Sequence, residues 1–263
     1  MDSKLKVSTM AEMSAAGKQP EVLFWVGCAG SFDDRAKKIT KAFIKILDKA
    51  GVSFAVLGTE ESCTGDPAKR AGNEFLFQMQ AMANIEVLNS YEVKKVVTAC
   101  PHCFNTLKNE YPGLGGNYEV IHHTQFIQKL VEEGKMTLEG GKFKGKRITY
   151  HDPCYLGRGN NIYEAPRELL KKLDAELVEM RNCRSRGLCC GAGGAQMFKE
   201  PEAGNMDVNI KRTEEALGTR PDIIAAACPF CNTMMTDGVK NKEKEKNVAV
   251  LDIAELMAQA QDL

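Results

Sequence analysis

From Glu21 onward, short apolar runs alternate with longer amphipathic stretches. VLFWV (22–26) is a continuous apolar run of strand length that ends at Gly27-Cys28. Ile39, Phe43, Ile46, Leu47 and Ala50 then recur at helical spacing until Gly51 stops them. VSFAVLG (52–58) predicts a second strand leading toward Cys63, and residues 72–90 predict a long helix. VKKVVTA (93–99) predicts a strand that delivers Cys100-Pro101-His102-Cys103 to a following helix.

The plan then repeats. KRITYHD (146–152) predicts a strand ending at Pro153-Cys154, and Leu169, Leu170 and Leu173 mark a helix after it. ELVEM (176–180) reads as a strand before Cys189-Cys190, and IIAAA (223–227) delivers Cys228-Pro229-Phe230-Cys231 to a helix beginning near Asn232. Residues 113–145 read as a linker with one helix at 124–133 and glycines at 134, 140, 141 and 145. This alternation predicts an α/β fold of two similar Rossmann-like halves, with mainly parallel sheets related by a pseudo-two-fold axis and sites at the strand carboxyl ends. Residues 1–20 are polar and small and read as a flexible tail or linker; 21–134 form the first cysteine-rich half and 135–263 the second.

The cysteines follow the same repeat. Cys28 and Cys63 are 35 positions apart, and so are Cys154 and Cys189. The step to the C-x-x-C pair is 37 from Cys63 to Cys100 and 38 from Cys190 to Cys228. A duplicated thiol frame of this kind holds two metal centres, or two halves of one.

Composition narrows the chemistry. Lys+Arg and Asp+Glu are both 35, so no net field draws the chain to nucleic acid. No apolar run is long enough to cross a bilayer and the N-terminus lacks the apolar core of a secretion signal, so a cytoplasmic setting is expected. There, metal ligation or redox chemistry is a better use of ten cysteines than structural disulfides.

Three chemistries compete for the thiols. Iron–sulfur clusters take thiolate ligands, commonly four per four-iron cluster, and a C-x-x-C at a helix start supplies amides and a dipole that favour thiolates. Gly191, Gly193 and Gly194 let backbone N–H groups approach inorganic sulfide. A thiol–disulfide exchange pair accounts for Cys100 and Cys103 but leaves Cys28, Cys63, Cys154 and the vicinal pair unused. Zinc fits the C-x-x-C pairs, but adjacent Cys189 and Cys190 are awkward ligands for one small ion. A cluster uses nine of the ten cysteines: Cys28, Cys63, Cys100, Cys103, Cys154, Cys189, Cys190, Cys228 and Cys231.

RSRGLCCGAGGAQMF followed by IIAAACPFCNTMMTDGVK resembles the CCG-domain iron–sulfur family. Its members include the catalytic B subunit of heterodisulfide reductase and the iron–sulfur subunits of glycolate and lactate oxidation. The resemblance runs from about residue 20 to the end. It implies a non-cubane four-iron cluster on Cys154, Cys189, Cys190, Cys228 and Cys231. The first copy reads Glu61-Ser62-Cys63-Thr64-Gly65, with Ser62 taken as standing for one vicinal cysteine. Its four thiolates imply a four-iron cluster that is either a cubane or one modified by an oxygen from Ser62 or Asp66. The resemblance further implies a ferredoxin-like iron–sulfur subunit as partner, with a flavoprotein or dehydrogenase beyond it. Two roles follow: electron relay within a multi-subunit oxidoreductase, or catalytic disulfide reduction.

Other polar residues read as structural. His151, in HDPC, is expected to make a hydrogen bond, His122 and His123 to cap or pack, and His102 to tune the first site. Cys183 lacks a counterpart in the first half and is expected to be incidental. Asp33, Asp34, Arg35, Lys37 and Lys38 read as a solvated helix start, Arg158 as a lone arginine, and 240–247 as a solvated mixed-charge run.

Overall fold

The computed structural model describes residues 6–138, 141–200 and 203–263. The first half comprises α1 (Met10–Ala15), β1 (Val22–Trp25), α2 (Gly27–Phe32), α3 (Ala36–Lys49), β2 (Phe54–Ala55), α4 (Asp66–Arg70), α5 (Glu74–Ser90), β3 (Lys95–Thr98), α6 (Pro101–Asn105), β4 (Glu119–His122) and α7 (His123–Glu132). The second comprises β5 (Arg147–Tyr150), α8 (Glu164–Lys171), β6 (Glu176–Leu177), α9 (Val208–Gly218), β7 (Ile223–Ala226), α10 (Pro229–Asn241), β8 (Ala249–Asp252) and α11 (Ile253–Gln259).

Each half is a four-stranded, wholly parallel sheet. The strand orders are β2-β1-β3-β4 and β6-β5-β7-β8, the same topology twice. Of the central strands, Val22–Trp25 and Ile223–Ala226 are apolar and buried at every position, as strands covered on both faces must be. In α3, Ile39, Phe43, Ile46 and Leu47 turn inward while its lysines face water.

A single apolar core joins the halves. Phe24, Phe43, Val97 and Phe126 of the first belong to one buried cluster with Tyr150, Leu169, Ile223 and Leu256 of the second. Helix α3 packs on α11, and α7 on α8 and α11. Polar bonds reinforce the seam: the Arg35 guanidinium grips both Glu255 carboxylate oxygens at 2.8 and 2.7 Å and the Val250 carbonyl at 2.7 Å. His123 Nε2 meets Asp252 Oδ1 at 2.8 Å, both side chains fully buried.

Several elements differ from the reading of the sequence. The stretch 113–145 contains strand β4, and β8 follows the charged run 240–247. Both are edge strands whose burial alternates, so neither presents a continuous apolar run. Helix α10 begins at Pro229 rather than near Asn232, because proline suits a first helical position. Within the expected tail, residues 1–5 lie outside the described residues. Met10–Ala15 form a helix with a Thr9/Glu12 capping box, Met10 is buried, and Thr9 bridges to Val56 beside β2.

Candidate metal centres at the junction of the two sheets

In a parallel sheet of this order, the connections leave β1 and β3 in opposite directions, and a crevice opens beyond their carboxyl ends. Cys28 follows β1, and Cys100 and Cys103 follow β3. Cys154 follows β5, and Cys228 and Cys231 follow β7. The repeat therefore places a thiol set at the switch point of each sheet. Cys100 and Cys228 both cap their helices in extended backbone, followed by Pro101 and Pro229 at the first helical position. Cys63 and the Cys189-Cys190 pair arrive on loops after β2 and β6.

Within each half the thiols act on one another. The contact from Cys28, against the cost of burial, holds Cys63 down at about 7, with the Gly65 N–H donating to its sulfur at 3.5 Å. Cys189 is driven far below the ordinary thiol range by Cys154 and then Cys190, with the Gly191 N–H at 3.3 Å from its sulfur. Cys190 and Cys231 sulfurs lie 3.4 Å apart. Of the nine thiols, Cys100, Cys103, Cys190, Cys228 and Cys231 are buried and the other four half-buried.

The two turns share the same backbone feature, and this corrects the assignment of the missing cysteine. Gly65 and Gly191 take the left-handed backbone at φ +87 and +89, and each donates its N–H to the sulfur two residues earlier. Cys63 thus matches Cys189, and Thr64 matches Cys190. Ser62 is not the replacement: its hydroxyl donates to Asn84 Oδ1 at 2.9 Å, while Asn84 Nδ2 holds the Cys63 carbonyl and the Tyr111 hydroxyl. Ser62 anchors the loop to α5.

The sets face each other across the pseudo-two-fold. Cys100 and Cys228 lie close enough for each to shift the other's thiol. Between the sites, the His102 ring lies 4.3 Å from Tyr155 and 5.4 Å from Phe230. A Cβ on Gly193 would meet His102 Cε1 at 3.6 Å, so the second half's loop lies in contact with the first half's histidine. His102 Nδ1 donates to Asp66 at 2.9 Å, and Asp66 is held in turn by Arg70, which pairs with Glu110. Burial opposes charge on His102, but Asp66 and Cys100 outweigh it and its pKa is raised.

Gly194 also has a left-handed backbone, at φ +68. Glu61 accepts the Val26 and Gly27 N–H groups ahead of Cys28, and burial pushes its carboxyl up to about 7 against those two bonds. Cys183 stands apart from both sets, in the turn before residues 184–186, its thiol raised by burial. Arg158 donates to the Gly187 carbonyl, and Arg35 serves the seam between the halves rather than a solvated surface.

The donor sets suit a group larger than one ion. A tetrahedral zinc with Zn–S near 2.3 Å needs four donors about 3.8 Å from one another. Among the described residues the one set within 4.8 Å is the trio His151, Cys190 and Cys231. Thiols spread more widely, with amides aimed at sulfur, fit an iron–sulfur cluster. Cys100 and Cys103 are both buried, which removes them from the exposed setting of an exchange pair.

The model of the cysteine-rich CCG domain matches residues 22–108 and again 148–236, one match to each half. The chain belongs to the CCG family. Among its relatives, EtfAB:quinone oxidoreductase of Syntrophomonas wolfei is 47% identical over 94% of this chain and 35% of its own length. The probable iron-sulfur-binding oxidoreductase FadF of Bacillus subtilis is 48% identical over 97% of this chain and 36% of its own. One component of the dihydromethanophenazine:CoB–CoM heterodisulfide reductase of Methanosarcina barkeri is 36% identical over 91% of this chain and 59% of its own. The chain thus spans about a third of the first two relatives. Of the residues that matter in this CCG protein, sequence reading missed Trp25, Tyr155, Phe230 and Arg212. Trp25 and Phe230 were legible, since the repeat pairs them with His151 and His102; Tyr155 and Arg212 had no such signal.

Proposed function

We propose that the chain is an iron–sulfur electron-transfer subunit of a multi-subunit oxidoreductase related to heterodisulfide reductase. Cys154, Cys189, Cys190, Cys228 and Cys231 would hold a non-cubane four-iron cluster. Cys28, Cys63, Cys100 and Cys103 would hold a four-iron cubane, with Thr64 in the place of a fifth thiolate. The clusters, when bound, supply one-electron carriers. The protein's own residues fix the thiolates, exclude water and bring the two sites close together around Cys100 and Cys228.

The packing between the sites favours relay over disulfide reduction. His102, Tyr155 and Phe230 fill the space between the two thiol sets, where a disulfide would have to lie to reach both. The electron partner is a ferredoxin-like iron–sulfur subunit, with a flavoprotein or dehydrogenase beyond it. The setting is cytoplasmic, with any attachment to a membrane made through partners; no helix among the described residues is long and apolar enough to cross one.

Anaerobic purification with iron, zinc and labile-sulfide counts, followed by EPR, tests this. About eight irons with matching sulfide, falling to about four in Cys189→Ala, is the expected result. Zinc without sulfide overturns the cluster reading. Turnover of a small disulfide by the reduced protein overturns the relay.

A further inference from the structure

Three residues before the first cysteine of each half stands a nitrogen-bearing ring: Trp25 before Cys28, and His151 before Cys154. The sheets confirm the equivalence. Trp25 pairs with Thr98, two residues before Cys100, and the Tyr150–Ala225 register carries His151 level with Ala226, two residues before Cys228. Both side chains are buried.

In the first half, Trp25 Nε1 is buried with no hydrogen-bond partner among the described residues, and Trp25 lines the cavity with Cys28, Cys63 and Cys103. A buried indole N–H without an acceptor is costly, and native structures rarely keep one. Of the other polar groups that line it, Ser62 is bonded to Asn84 and Asp66 to His102 and Arg70, which leaves Thr64 and the sulfurs as acceptors. Indole nitrogen donates only and cannot ligate.

In the second half, a ring nitrogen of His151 lies within 4.8 Å of the Cys190 and Cys231 sulfurs. That could make it a ligand. Arg212 decides otherwise. Its Nε sits 3.0 Å from His151 Nδ1, and a guanidinium has no acceptor, so Nδ1 must be the lone pair and the ring proton sits on Nε2. Arg212 is fully buried and fixed by the Asn182 carbonyl at 2.8 Å and Glu215 at 2.7 Å, so it cannot release the ring without breaking both.

We infer that Trp25 and His151 are equivalent N–H donors to the sulfur of the two centres, with Arg212 the positioning residue that keeps His151 a donor rather than a ligand. This rests on the cluster reading. An N–H held toward thiolate or sulfide stabilises the more negative, reduced state, so each donor raises the reduction potential of its own centre.

The test is a set of variants, Trp25→Phe, His151→Gln, Arg212→Gln and Arg212→Lys, each purified anaerobically. Iron and sulfide are counted and each centre is titrated by EPR. Trp25→Phe is expected to keep full iron and to lower only the first centre's potential. The reduced-to-oxidised ratio falls about tenfold at fixed potential, about 59 mV for a one-electron couple. His151→Gln is expected to keep full iron, and Arg212→Gln to lower the second centre's potential, partly restored in Arg212→Lys. Nitrogen couplings in pulsed EPR should be weak, as for a hydrogen-bonded ring. Loss of the second centre's iron in His151→Gln, or strong directly bonded nitrogen coupling, makes His151 a ligand and overturns the inference. So do unchanged potentials in Trp25→Phe and Arg212→Gln. Wild-type protein without labile sulfide defeats the cluster reading itself, before any variant is compared.

Discussion

The His102 and Phe230 rings meet edge to face at 5.4 Å and 90°. They are the same residue of the repeat, the third position of CPHC and of CPFC, so the two C-x-x-C motifs touch at the pseudo-two-fold. The motif that sets each thiol pair also supplies the wall between the sites.

Phe230→Ala removes that wall. It is expected to cost about 2 kcal/mol, less than a fully buried phenylalanine because the ring is half-buried. It should also quicken bleaching of the first centre in air. Visible absorbance and first-site EPR, followed after exposure to oxygen, check it; bleaching at the wild-type rate would mean the ring shields nothing.

Thr64→Cys restores the fifth thiol of the first half at the position matching Cys190. The first-site EPR signal is expected to change to that of the second site. Ser62→Cys should leave the signal type alone, because that side chain points to Asn84. The reverse outcome would return the vacancy to Ser62.

Arg167 is buried and binds both oxygens of Asp152, at 2.7 and 3.0 Å, and both of Glu179. Asp152 also accepts the Arg184 N–H, so it ties the HDPC turn to the loop before Cys189. Arg167→Ala is expected to lose about 3–5 kcal/mol and to deplete the second centre's iron while sparing the first. Denaturant unfolding and site-resolved EPR report the two effects.

Arg35→Ala leaves Glu255 unpaired at the seam between the halves. A loss of about 3 kcal/mol is expected, with full iron retained in the cold and earlier release on heating. Calorimetry read alongside iron release checks it.

Much of this was legible in the sequence because the repeat carries it. Strands β1 and β7, which lead to thiols, are apolar at every position, and each C-P-x-C announces a helix start. Edge strands β4 and β8 were illegible because half their positions face water. The match of Thr64 to Cys190, by contrast, was legible: the equal 35-residue steps set Cys63-Thr64-Gly65 against Cys189-Cys190-Gly191, and the shared left-handed glycine bears it out. Arg212 was beyond reach, since it comes from α9, 61 positions from the histidine it holds.

Tyr155 and Phe230 close over the first half's thiols from the second half. This orders events in time. On a ribosome the first sheet emerges with its four cysteines complete, yet their cover is unfinished until residue 230 has been made. Metal loading of the first site therefore either waits until the second half is made or proceeds on an open half that delivery factors can still reach.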